Sequence, residues 1–179
     1  PRLLFVNGSG SSIEVARPFI NRFAERFHVL VHDQRGLGRT SVPERQPTMA
    51  DYAADALALL DHVGWPTTRL VGTSFGGMVA QEIAVTAPAR VERLALLCTS
   101  AGGVAGASYP LHELARLSPA ERAKVHPTLL DTRFDDAWLA EHPNDKALVD
   151  LMGARGEPTE GARLQLEARR DHDVWDRLG

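Results

Sequence analysis

Short unbroken apolar runs alternate with longer stretches in which apolar residues recur every three or four positions, and this alternation holds for about the first hundred residues. Residues 3–6 are apolar without a break and end at Asn7-Gly8-Ser9-Gly10-Ser11-Ser12, the pattern of a strand buried on both faces of a parallel sheet. A helix is predicted next, entered near Pro18 as a first-turn proline, with Phe19, Ile20, Phe23 and Phe27 on its inner side. Val29-Leu30-Val31 reads as a second strand. Thr48 and Asp51 then form a capping-box start for a helix carrying Met49, Tyr52, Ala53, Ala56, Leu57, Leu60 and Val63, which Gly64 and Pro66 stop. A third strand feeds Ser74 and a helix follows at once, closed by Pro88. Residues 93–98 supply a fourth strand. Strand and helix in this rhythm predict parallel units joined by right-handed crossovers, hence an α/β fold with helices flanking a parallel sheet.

After Thr99-Ser100-Ala101-Gly102-Gly103 the pattern turns helical throughout. Ser118-Pro119-Ala120-Glu121 is a capped helix start, Asp135 and Asn144 are candidate caps, and residues 160–170 read as another helix. No strand pattern follows Cys98. The division this predicts is a sheet portion over residues 1–103 and an α-helical lid over residues 104–179, joined by a glycine-rich linker at 101–108.

The third strand feeds the most informative stretch, Leu70-Val71-Gly72-Thr73-Ser74-Phe75-Gly76-Gly77. Gly72-Thr73-Ser74-Phe75-Gly76 fits G-x-S-x-G, a nucleophile elbow when a strand enters it and a helix leaves it, as here. On such a turn a serine hydroxyl stands clear of its neighbours. Gly72 and Gly76 support the loop because a Cβ at either position would collide as strand and helix fold back on each other. The helix behind Ser74 points free amides and a positive dipole end at the site. Ser74 is therefore the candidate catalytic nucleophile.

Composition narrows the partners. With 179 residues, a net charge of -3 and no basic stripe, the chain shows no footprint for nucleic acid, and no apolar run reaches membrane-spanning length. A lone cysteine, Cys98, excludes an intrachain disulfide and fits a reducing, cytoplasmic compartment; its apolar neighbours predict a buried structural thiol. The chain opens on Pro1 directly before a strand, so an N-terminus lost by truncation or processing is expected. No histidine spacing matches a metal motif such as H-E-x-x-H.

Asn7-Gly8-Ser9-Gly10, then Asp33-Gln34-Arg35-Gly36-Leu37-Gly38-Arg39, then Gly72-Thr73-Ser74-Phe75-Gly76-Gly77, in that order and spacing, resemble the α/β-hydrolase superfamily. Within it the chain is similar to the lid-bearing esterase, enol-lactonase and haloperoxidase-like branch, strongly as far as about residue 100 and loosely beyond. The resemblance implies a partial α/β-hydrolase fold, Ser74 as nucleophile, and the backbone amides of Phe75 and Ser9 as the oxyanion hole, with Gly8 supporting the first loop. It implies hydrolysis of a small-molecule carboxylic ester or lactone through an acyl-enzyme, with no metal and no cofactor. It also implies a structural role for the loop from Asp33 to Ser41 and open sheet edges at the second and fourth strands. Asn7 stands where a histidine often opens the first loop.

In this superfamily an acid and then a histidine follow the serine, each after a later strand. Four histidines follow Ser74, at 112, 126, 142 and 172, all in helical or interhelical sequence, and His172 in Arg169-Arg170-Asp171-His172-Asp173 reads as a solvated charged helix end. The expectation is a chain that starts after the first strands and stops before the acid and the base, neither of which is assigned. Two other functions stay open at this point. One is an inactive fragment or binding protein that retains the pocket. The other is a dinucleotide-binding domain, which a strand, Gly8-Ser9-Gly10, a helix, a strand and Asp33 would mimic, although Ile13 stands where the third glycine belongs.

Overall fold

A computed structural model of the chain describes residues 1–105, 111–114, 116–153 and 158–178. Four strands, β1 (Arg2–Val6), β2 (His28–Val31), β3 (Thr68–Thr73) and β4 (Val91–Leu97), form one parallel sheet in the order β2-β1-β3-β4. Its edges among the described residues are β2 and β4, as the resemblance implied. The unbroken apolar run of β1 places it in the interior: Leu3, Leu4, Phe5 and Val6 are all at most 2% exposed.

Successive side chains of a strand point to opposite faces, and here the two faces have separate cores. Leu3, Phe5 and Val71 pack with Ile20 and Phe23 of α1 (Ile13–Ala24). Leu4, Val6 and Leu70 pack with Tyr52, Ala56 and Leu60 of α2 (Met49–His62) and with Phe75, Val79 and Ile83 of α3 (Phe75–Thr86). The Thr48–Asp51 capping box opens α2 as the sequence predicts, and Gly64, at φ 66°, ends it.

Three local expectations are corrected. Helix α1 begins at Ile13, not near Pro18. Ser12 accepts from the Val15 amide and Asp33 Oδ1 accepts from the Ile13 amide at 2.7 Å, so the start is satisfied earlier and Pro18 falls in the second turn. Phe19 stands 48% exposed although its ring touches Phe5 and Phe23, so it does not lie on the inner side. Cys98 is exposed, not buried, because it directly follows the edge strand β4, where Leu94, Leu96 and Leu97 are also more than a third exposed.

The chain divides into two compact units, residues 1–109 with 158–179, and residues 110–157. The second unit holds α4 (Leu111–Leu114), α5 (Pro119–Leu130), α6 (Asp136–Glu141) and α7 (Pro143–Gly153). Ser118 and Glu121 make the predicted capping box, and Asp135 caps α6 through the Trp138 amide. Asn144 is no cap: it lies in the first turn of α7, one residue after the proline that opens it. The Trp138 ring stacks on His142 at 3.8 Å and its Nε1 donates to Asp145.

Residues 158–178 belong to the sheet unit. They form α8 (Glu160–Ala168), capped by Thr159, then a 3-10 turn at Arg169–Asp171, then an isolated antiparallel bridge between Asp173 and Gly102. Among the described residues no strand follows β4, as expected. The proposed linker at 101–108 lies partly outside the described residues.

Candidate active site

Strand β3 ends at Thr73 and α3 starts at Phe75, so the chain reverses on one residue. That residue, Ser74, has φ 53° and ψ −119°, a conformation that costs a non-glycine residue of order 1–3 kcal/mol and holds only where the surroundings over-determine it. Those surroundings are backbone. A Cβ on Gly72 would run into the Gly76 carbonyl and come within 2.7 Å of the Gly77 Cα, and one on Gly76 would meet the carbonyl oxygens of Val6 and Asn7. Neither obstacle can rotate away. Gly77 in turn faces the Thr99 side chain, where a Cβ would stand 2.6 Å from the Thr99 Cβ.

The first loop lies beside the serine. A Cβ on Gly8 would be 3.5 Å from the Ser74 Cβ and from the Thr73 carbonyl, an ordinary contact, so Gly8 marks proximity and tolerates a small side chain. The Ser74 amide donates to the Leu97 carbonyl at 2.8 Å, and the Ser74 carbonyl accepts from Gly77 at 2.9 Å. The backbone amides of Phe75 and Ser9, the two candidate oxyanion donors, have no acceptor among the described residues. Free donors on the elbow and on the loop beside it, at the N-terminus of a helix buried from Phe75 to Ile83, form a place where negative charge is favoured.

The loop is fixed by residues the sequence reading did not single out. Gln34, 2% exposed, donates from Nε2 to the Asn7 carbonyl at 2.8 Å, and Gln165 of α8, fully buried, accepts from the Gly10 amide at 2.9 Å. A polar residue on a surface-like helix carries no sequence signal for such a partner. Asp33 behaves as the structural reading of its loop anticipates. Its carboxylate accepts from the amides of Ile13 and Arg39, its carbonyl accepts from the Thr40 hydroxyl, and Gly38, at φ 54°, leaves room for it.

No histidine among the described residues hydrogen-bonds Ser74. His172 is not a solvated helix end: it is 7% exposed, and neither ring nitrogen has a hydrogen-bond partner among the described residues. Burial pushes its pKa below the ordinary value, with Glu82 and Asp173 favouring the charged form and Arg177 and Arg169 opposing it. The ring borders a hollow of about 310 Å³ whose walls include Thr48, Met49, Asp171 and the Glu82–Arg177 ion pair. His32 follows β2, and burial lowers its pKa as well. His28 opens β2 and His62 closes α2. Among the described residues no group of three histidine, cysteine or acidic side chains is placed to hold a metal ion, and no helix is long and apolar enough to cross a membrane.

Residues 1–147 match the family model described as the alpha/beta hydrolase fold. A relative named "Putative carbamate hydrolase RutD", from Variovorax paradoxus, is 30% identical over 184 residues, covering 99% of this chain and 68% of its own length. The 3-oxoadipate enol-lactonase 2 of Acinetobacter baylyi is 31% identical over 101 residues, 56% of this chain and 38% of the relative. Among solved structures, a hydrolase from Pseudomonas aeruginosa PA01 superposes with a TM-score of 0.71 at 27% identity, covering 99% of this chain and 67% of that one. The matched part thus spans roughly two thirds of two of these proteins and little more than a third of the enol-lactonase.

Proposed function

The chain belongs to the α/β-hydrolase fold family, and from that premise we propose that the full-length protein hydrolyses a carboxylic ester or lactone through an acyl-enzyme on Ser74. The observation that carries this is the strained turn at Ser74, with the unpartnered amides of Phe75 and Ser9 beside it. The Ser74 Oγ attacks the substrate carbonyl carbon as a base takes its proton, and the carbonyl oxygen, now negative, accepts from the two amides. Collapse expels the alcohol, which leaves with a proton, and the acyl group stays on Ser74. Water attacks the acyl-enzyme by the same route and frees the acid.

The base and the acid that orients it are assigned to no residue among 1–179; in this reading they come from elsewhere in the full-length protein. The dinucleotide-binding reading does not survive family membership. A carbamate is a third acyl substrate class, and the name of the Variovorax relative puts it in the test.

The test compares the full-length protein with its Ser74→Ala variant on p-nitrophenyl acetate, a lactone and a carbamate. Removing the nucleophile is expected to cut turnover on the preferred class by about 10³-fold or more. Retained turnover in the alanine variant would sink the acyl-enzyme reading. The 179-residue chain alone is expected to hydrolyse p-nitrophenyl acetate no faster than its own Ser74→Ala variant. Clear Ser74-dependent turnover there would place a base within these residues and return attention to His172.

A further inference from the structure

The two residues between Asn7 and Gly10 are held from both ends. On one side the Asn7 carbonyl accepts from Gln34 Nε2, and the same oxygen is where a Cβ on Gly76 would land, so the Asn7 peptide is wedged against the start of α3. On the other side the Gly10 amide donates to Gln165 Oε1. Gly10 has φ 67°, and a Cβ there would touch the Ala162 Cβ at 3.4 Å, so α8 also meets the loop by contact. Only Gly8 and Ser9 lie between the two pinned peptides.

We propose that Gln165 is a positioning residue for the oxyanion hole: by holding the Gly10 amide it sets the orientation in which the Ser9 amide faces the reacting carbonyl oxygen. This rests on the reading of Ser9 and Phe75 as oxyanion donors. The geometry gives the side-chain amide one choice. The Gly10 amide is a donor, so only the oxygen of Gln165 can face it, and the buried Nε2 has no hydrogen-bond partner among the described residues. Keeping a fully buried donor unpaired is costly, which makes the single bond to Gly10 a demanding feature rather than an incidental one.

The helix that carries Gln165 is itself immobilised. Gly161 lies against Gly36 so closely that a Cβ on either would strike the other's backbone, and the Leu164 carbonyl accepts from Gln46 Nε2 at 2.9 Å. The side chain therefore transmits a fixed position to Gly10. It does so from 155 residues away in the chain, so the loop is set only where α8 is packed within the sheet unit. Gln165 touches neither substrate nor Ser74 in this scheme; it acts through the loop.

The experiment uses Gln165→Met, close in length but without an acceptor, and Gln165→Glu, which keeps one, in the full-length protein. Three quantities are measured: hydrogen exchange at the Gly10 amide by NMR, kcat and KM for the preferred ester, and thermal stability. In Gln165→Met, Gly10 exchange is expected to accelerate at least about tenfold while β1 amides stay protected. Its kcat is expected to fall about 10- to 100-fold with KM within about twofold, because a misplaced donor weakens only the transition state. Gln165→Glu is expected to keep Gly10 protected and to recover part of kcat. If the methionine variant is not isolated folded, Gln165→Asn, one methylene too short to reach Gly10, gives the same comparison.

Unchanged Gly10 exchange in a folded Gln165→Met or Gln165→Asn variant would overturn the latch. Faster exchange with kcat unchanged would overturn the positioning role while leaving Ser74 chemistry intact. Loss of kcat in Gln165→Glu equal to that in Gln165→Met, with Gly10 still protected, would also overturn it. Failure of the hydrolase reading is separate, since it shows in the unmodified protein as turnover indifferent to Ser74→Ala.

Discussion

The turn at Ser74 and the hollow beside His172 share helix α3, yet they are held by different means. At its second residue α3 meets β3 and the Asn7 carbonyl backbone to backbone, across Gly72 and Gly76. Two turns further on, Glu82 of the same helix meets Arg177 through two short side-chain hydrogen bonds, 3.0 and 2.7 Å, beside a histidine with no hydrogen-bond partner among the described residues. Backbone wedged on backbone has no rotamer to change and no proton to lose. Side chains have both. In the role proposed for Ser74 the strained turn needs the first kind of support, because its geometry must hold as charge appears and disappears nearby. The hollow, by contrast, should respond to charge removal and to pH, and the contrast can be tested at each place.

The largest effect is expected from the turn. Gly72→Ala forces a methyl group into the Gly76 carbonyl and Gly77, and should destabilise the fold by about 3 kcal/mol or more, with Ser74 function lost even in whatever remains folded. Chemical denaturation measures this; a stable, active Gly72→Ala protein would mean that the wedge is looser than its geometry.

A smaller loss is expected at the hollow. Arg177→Met strips the partner from a Glu82 side chain that is 9% exposed, while the arginine itself is 47% exposed, so water already screens part of the pair. The cost should be about 1–2 kcal/mol, and adding Glu82→Gln should recover part of it. Strict additivity in that double variant would show that the pair is not coupled.

The smallest effect concerns pH. Burial lowers the His172 pKa, so between that lowered value and 6.5 the unfolded state binds more protons than the folded one. Stability therefore rises with pH through that window: the contribution of the neutral ring is complete above 6.5 and is lost on acidification through the lowered pKa. His32 is shifted in the same direction, against the pull of Asp55 and Asp33. His172→Leu should flatten, without abolishing, the fall of melting temperature between pH 7.5 and 5. An unchanged slope would assign the whole dependence to His32 and the carboxylates.

What the sequence determined by itself was local. The apolar runs placed all four strands, the Thr48–Asp51 and Ser118–Glu121 boxes placed two helix starts, and G-x-S-x-G between a strand and a helix marked Ser74, because each of these is written in a few adjacent residues. Local signals also misled where a distant group supplied the missing bond. Asp33 added an acceptor for the Ile13 amide beside the Ser12 cap, ahead of Pro18, and the acidic, basic text around His172 gave no sign of a buried ring, since burial depends on what folds over a segment and not on its own polarity. Cys98 failed in the opposite sense, its apolar neighbours lying on an edge strand. Only the tertiary structure brought Gln34 and Gln165 to the two ends of the loop beside Ser74, for a hydrogen bond spanning 155 residues leaves no period, spacing or composition to read.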